Sequence, residues 1–310
     1  MKRTFSDFAV LLAVLLPLAA WCATGWLAAG PVPQRPVLSG LLAAATLLAN
    51  GLLLFSTHRR VMSGLSLSVP VIYIVLATAN PDALYFTPFH GASLLLALCL
   101  FFHTAFCSVR PTLSKLLGTW ASLGAAGILF PPFLWLIPLL ALTSMGKAED
   151  KLKYAAASLL SLCLPFGLYA GILFLREGSF PVGAVFTRLW DQMTVLPHPA
   201  FHFSAATLCR IALTAVATVL AIIRAAKLLD RFKTAQYRAV IRIILLIPAL
   251  CLLVLLFAPD CRFPGGLVTY LPVSLLLNDG LAAQGSGNRF PTLAVILFLI
   301  LLAERIACFV

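Results

Sequence analysis

The stretch from Leu116 to Gly146 contains no Asp, Glu, Lys or Arg, and Phe130-Pro131-Pro132-Phe133 breaks it near its centre. A hydrocarbon layer of about 30 Å needs about 20 apolar helical residues. The stretch is therefore too long for one crossing and short for two, and its resolution fixes the topology of everything after it. Proline cannot continue a helix from within, and it disfavours helix at the residue before it. The Pro131-Pro132 pair is thus the natural place for a turn.

Uncharged runs recur at 8–34, 61–81, 83–109, 154–175, 211–223, 243–259 and 290–303. Only 10% of the 310 residues are charged and 62% are hydrophobic, against about 25% charged in a soluble domain. The chain reads as an integral membrane protein with no segment polar enough to form a soluble domain. Length, charge and Pro/Gly breaks predict helices at 8–28, 37–56, 62–79, 88–108, 114–130, 132–146, 152–175, 204–224, 241–258, 265–278 and 290–309. The expected fold is all-α: a single-domain, polytopic transmembrane helix bundle over 1–310, with about 11 spans, or about 10 plus a re-entrant hairpin at Pro131-Pro132. Lys2 and Arg3 followed by an apolar run resemble a signal peptide, but the length of the run and the spans after it favour an uncleaved first helix.

Orientation follows from Lys and Arg, which are in excess in cytoplasmic loops. With these spans, sixteen basic residues share one side: Lys2, Arg3, Arg59, Arg60, Arg110, Lys115, Lys147, Lys151, Lys153, Arg224, Lys227, Arg231, Lys233, Arg238, Arg242 and Arg289. Five lie on the other: Arg35, Arg176, Arg188, Arg262 and Arg305. The bias predicts a cytoplasmic N-terminus. It also requires Leu116–Gly146 to leave and return on one face, because Arg110, Lys115 and Lys147 must stay together. The net charge of +12 is spread over short loops and fixes orientation, so nucleic acid is not an expected partner. The eight cysteines sit mostly inside apolar runs with no Cys-x-x-Cys, which suits small buried hydrophobes. No metal or cofactor is expected.

The phrases Lys115-Leu116-Leu117-Gly118, Ile128-Leu129-Phe130-Pro131-Pro132-Phe133-Leu134-Trp135 and Leu164-Pro165-Phe166-Gly167-Leu168-Tyr169 resemble a family of multi-spanning inner-membrane proteins from the Bacteroidota. Tyr270-Leu271-Pro272-Val273-Ser274-Leu275-Leu276-Leu277-Asn278 is similar to that family's late Pro-containing span. The resemblance implies a multi-pass fold and no established activity, although some members carry the label of a beta-carotene monooxygenase. Such an iron enzyme needs several histidines at one depth. His90 and His103 lie on one helix, about 20 Å apart in depth, and His58 ends another, so the five histidines cannot form one site. His90, His198 and His202 share the outer side, but His198 and His202 flank Pro199 and have no carboxylate partner nearby in sequence.

The longest outer segment, 176–203, contains a predicted interfacial helix built on Val185, Phe186, Leu189, Trp190 and Met193. Arg188, Asp191, His198 and His202 within it, with Arg210 in the span that follows, are the candidate catalytic residues. Guanidinium groups pair bidentately with phosphate, and an acid or His takes an acceptor proton, as a glycan transferase acting on a polyprenyl-phosphate carrier requires. The first outer loop lacks the acidic residue typical of related glycosyltransferases. Arg210 lies two turns into its span, and Glu304 is the one acid deep in an apolar run; similar depths allow an Arg210–Glu304 ion pair. The leading expectation is a non-catalytic assembly or scaffold component of the cell envelope, with the lipid bilayer and another membrane protein as partners. The alternatives are a polyprenyl-phosphate-linked glycan enzyme with an outer-face site, binding that lipid, and a lipid or solute carrier. A proton-coupled transporter would show repeats and acids lining a midplane path, which this chain lacks; an uncharged lipid or glycan path stays open.

Overall fold

The computed structural model describes residues 37–62, 68–78, 81–107, 112–145, 151–178, 182–194, 234–257 and 267–275, with scattered helical positions between 212 and 223. These residues are helical almost throughout, and no strand occurs among them. In chain order the helices are α1 (Val37–Met62), α2 (Ser68–Ala77), α3 (Pro88–Cys107), α4 (Leu113–Leu129), α5 (Ile137–Met145), α6 (Lys151–Glu177), α7 (Val182–Thr194) and α8 (Thr234–Phe257). Residues 267–275 add α9, and short 3-10 turns occupy Pro81–Leu84 and Pro131–Leu136. The expected helices at 8–28 and 290–309, and most of 204–224, lie outside the described residues.

Three segments, Leu38–Arg60, Pro88–Cys107 and Lys151–Arg176, are long and apolar enough to cross a membrane. Leu113–Leu129, Pro131–Ser144 and Val240–Val254 are shorter apolar helices. The chain is a helical membrane protein. Several boundaries differ from the sequence reading: α1 continues to Met62, where the next helix was expected to begin, α2 spans Ser68–Ala77, the helix expected from 132 begins at Ile137 after a 3-10 turn, and α8 begins at Thr234. Basic side chains account for the first of these differences. Arg59 and Arg60 in the last turn of α1 suit the negative end of a helix dipole, so charge there extends a helix that hydropathy alone would end.

The uncharged stretch forms a hairpin. α4 runs away from the C-terminal end of α3, the chain turns at Phe130 and through Pro131–Leu136, and α5 returns. Two contacts on α3 measure the return. The Phe89 and Phe130 rings meet at 5.2 Å, and His103 Nε2 lies 3.1 Å from Thr143 Oγ1. Phe89 and His103 are separated by about 21 Å along α3, so the limb from Phe130 to Thr143 covers that depth. Phe130 leaves the helical region, with φ −145° and ψ 90°, as expected of a residue before proline.

Contacts of this kind sort the described charges to two ends. At one end, the Arg60 guanidinium sits 4.2 Å over the Phe101 ring, Phe106 meets Tyr154 at 6.0 Å, and Arg242 reaches Thr143. Lys115, Lys151 and Lys153 start α4 and α6 at this basic end. At the far end, Phe86 N–H donates to Ser39 Oγ at 2.9 Å, and Trp135 Nε1–H donates to Met193 O at 3.2 Å. Arg176, Arg188 and Asp191 belong to that end.

α4 is the hub, packed on α3 and on α6. Between apolar helices in lipid there is no hydrophobic drive to associate, so small residues that allow close approach decide where helices meet. Gly118 lies under the Phe102 ring, and Gly124 lies against the backbone carbonyl of Leu162. Beside that contact, Ser161 Oγ donates to Leu117 O at 2.6 Å. Ser161 is also the residue whose carbonyl loses its helical donor to Pro165.

Candidate functional site

The far-end helix carries the first two candidate catalytic residues. Arg188 and Asp191 stand three positions apart on α7, which places them on one face of that helix. The Asp191 side chain is exposed. Phe186 and Trp190 are 71% and 64% exposed on the same short helix, whereas Leu189 and Met193 are partly covered. This is the amphipathic pattern of a helix lying in the headgroup zone. The hydrogen bond from Trp135 to Met193 O ties α7 to the proline turn. The remaining candidates, His198, His202 and Arg210, and the Arg210–Glu304 pair, lie outside the described residues.

His90 is a structural group. Its Nδ1 accepts the Thr87 N–H at 3.1 Å and its Nε2–H donates to Ala83 O at 2.8 Å. Thr87 precedes Pro88, the first residue of α3, and His90 is the third. A third residue whose side chain reaches back to the capping N–H is the logic of a capping box, here with an imidazole in place of Glu or Gln. Both ring nitrogens are therefore committed to protein partners.

A second network ties four helices together near the middle of the bundle. Asn50 Nδ2 donates to Tyr73 Oη at 2.9 Å and to Ser93 Oγ at 3.0 Å. Tyr73 Oη then donates to Leu267 O at 3.1 Å, and Ser93 Oγ to His90 O at 2.9 Å. Interhelical hydrogen bonds in membranes are worth about 0.6 kcal/mol on average and up to about 1.7. Tyr73→Phe removes one donor and one acceptor together. It is expected to cost about 1 kcal/mol, read as a lower unfolding temperature in detergent, with no change in the helical content of the folded state.

The third network lies at the basic end and is the one sequence reasoning missed. Arg242, counted above among the loop charges, is only 8% exposed. Its Nη2 donates to Thr143 O at 2.6 Å. That carbonyl is among the last four of α5, which have no donor within their own helix and form the negative end of its dipole. Thr143 Oγ1 donates to Leu139 O at 2.9 Å, so its lone pair accepts from His103 Nε2–H at 3.1 Å. Cys107 Sγ lies 4.0 Å from the same ring nitrogen. The available signal was position: Arg242 sits one residue before an uncharged run, facing helices whose C-terminal carbonyls need donors.

These three networks hold buried polar groups between helices rather than around a solvent cleft. Among the described residues no three His, Cys, Asp or Glu converge as a metal site would require. Fold and contacts together define a polytopic helical membrane protein with polar interhelical clamps. Compared with protein-family models, curated proteins and solved structures, the chain gives no match. The likeness to the Bacteroidota inner-membrane family accordingly rests on the phrases quoted from the sequence.

Proposed function

We propose that the chain is a non-catalytic assembly component of a bacterial inner membrane, with about eleven spans and a cytoplasmic N-terminus. The observation that carries the reading is the open flank of α6. One side of this helix packs on α4, and the other exposes Leu160, Leu164, Leu168 and Ile172. Cys163, Gly167 and Gly171 follow one another at four-residue spacing on that helix, and no described residue lies within 4 Å of where a Cβ on either glycine would stand. Small residues at this spacing let a second transmembrane helix approach backbone to backbone. The partner is therefore a membrane protein bound within the plane of the bilayer. Support for the orientation comes from Arg59, Arg60, Lys115, Lys151 and Lys153 gathering at one end, and the depth of the hairpin limb favours two crossings over a shallow dip.

The experiment is site-specific photocrosslinking from position 164 in native membranes. A discrete adduct is expected, lost in Gly167→Leu/Gly171→Leu at unchanged abundance and retained in Arg188→Ala and Asp191→Ala. An adduct indifferent to the glycine substitutions would refute the in-plane partner. Asp191→Ala and Arg188→Ala abolishing an outer-face glycan product would instead favour the polyprenyl-linked enzyme, whose residues stand on the helix that Trp135 anchors.

A further inference from the structure

The chain enters α3 through a cap whose acceptor is a titratable ring. His90 Nδ1 accepts the Thr87 N–H at 3.1 Å and Nε2–H donates to Ala83 O at 2.8 Å, with the side chain fully buried. The ring also stacks on Phe86, 5.7 Å between centroids. Phe86 in turn donates its N–H to Ser39 Oγ at 2.9 Å, near the start of α1. One imidazole therefore holds the link from Ala83 to Thr87 against both α1 and α3. A Gln side chain would serve the cap as well, since its amide also offers an acceptor and a donor. What imidazole adds is a proton site that ionises near about pH 6.5.

Both bonds need the neutral ring. An imidazolium carries a hydrogen on each nitrogen and keeps no lone pair, so Nδ1–H would face the Thr87 N–H, donor against donor. The neighbouring acceptor is Thr87 Oγ1, 3.2 Å from Nδ1. It can take the new hydrogen only as the Thr87 backbone N–H turns away, which opens the cap. The charges on the described elements packed against α3 stand far off: His58, Arg59 and Arg60 on α1, Lys115 on α4, and Arg238 and Arg242 on α8 all belong to the basic end, and α5 has none. His103 on α3 itself is about 20 Å away. Tyr73 on α2 is bonded to Leu267 O, and α7, with Arg188 and Asp191, packs on the proline turn. Asp82 and Tyr85, in and beside the link, are the ionisable groups nearest to it in sequence.

We propose that His90 is an acid-released latch: its protonation frees the link 83–87 from α1 and α3 and leaves the rest of the bundle in place. The sign follows from the bonds. Opening exposes a ring that takes up a proton below about pH 6.5, whereas the closed cap uses the neutral ring, so acid below that value favours the open link. The latch stands at the end opposite the basic one. In the proposed orientation that end faces away from the cytoplasm, and only this setting rests on the orientation; the latch itself does not.

The test is hydrogen–deuterium exchange of the full chain in detergent, corrected for intrinsic rates and read on peptides that carry the Phe86 and Thr87 amides. From about pH 7.5 to about pH 5 the parent is expected to lose protection there about tenfold, with peptides from α4 unchanged. His90→Gln keeps a cap without a proton site, and is expected to hold its protection at both pH values. His90→Ala is expected to be poorly protected at both, and the Gln comparison stands alone if that variant fails to fold. Asp82→Asn is expected to respond as the parent does. An unchanged parent, a loss shared equally by α4, a His90→Gln protein that still loses protection in acid, or a response abolished by Asp82→Asn would each overturn the proposal.

Discussion

Gly124→Leu is expected to leave no folded protein in the membrane, and Gly124→Ala to lose about 2 kcal/mol. A Cβ on Gly124 would stand 2.5 Å from the Leu162 carbonyl oxygen and 3.3 Å from Pro165 Cγ. Neither obstacle is the end of a flexible side chain; one is helix backbone and the other is a ring fixed to it. Relief requires α6 to move away from α4, which also breaks the hydrogen bond from Ser161 to Leu117 O. Alanine raises helix propensity over glycine by about 1 kcal/mol, so the sign of the change shows whether packing or propensity wins. Gly167→Ala supplies the control, because no described residue lies within 4 Å of that position. It is expected to be neutral or stabilising by up to about 1 kcal/mol in the isolated chain. Abundance in the membrane checks the leucine variant and thermal unfolding in a mild detergent the two alanine variants; a Gly124→Ala protein as stable as its parent would show that the two helices do not meet as described.

Arg242→Met is expected to lower stability by about 2 kcal/mol, within the range for a hydrogen bond to a charged group. The opposite outcome has a physical basis: exchanging a buried charge for a well-packed apolar side chain is often neutral or better. What decides here is the acceptor. Methionine cannot bond Thr143 O, which would leave a terminal carbonyl of α5 without its partner in a dry environment. Arg242→Lys keeps the charge but loses the planar fork, and is expected to recover less than half of the loss. Reversible unfolding of the two variants beside the parent checks this. A Met variant at least as stable as the parent would mean that the clamp contributes specificity of packing and no net stability.

The elements were legible in the sequence because hydrocarbon thickness and proline chemistry leave few options. The helices at 88–107 and 113–129 fall within a residue of where charge and proline breaks put them, and the turn at Pro131-Pro132 brings its Trp135 against the interfacial helix at 182–194. The clamps were not legible. In a helix apolar all round, periodicity does not reveal which face meets which neighbour, so nothing in the run 88–107 says that His103 meets a threonine forty residues on while His90 caps its own helix. Arg242 was misread for a related reason: a basic residue at the start of an apolar run looks the same in sequence whether it points to water or to the carbonyl end of a neighbouring helix. The candidate residues on α7 could be found from residue type alone, but their chemistry depends on neighbours beyond the described residues.

The limbs of the hairpin are short: the 17 residues of α4 rise about 25 Å, and the 3-10 turn with the 9 residues of α5 reach about as far. α1 and α6, at 26 and 27 residues, rise about 40 Å. In the proposed topology both limbs cross a hydrocarbon layer of about 30 Å, and lipid touching the exposed Leu129, Trp135 and Leu142 would meet less protein than its own thickness. The bilayer would then thin beside the hairpin, and that topology predicts a preference for thinner membrane on this flank.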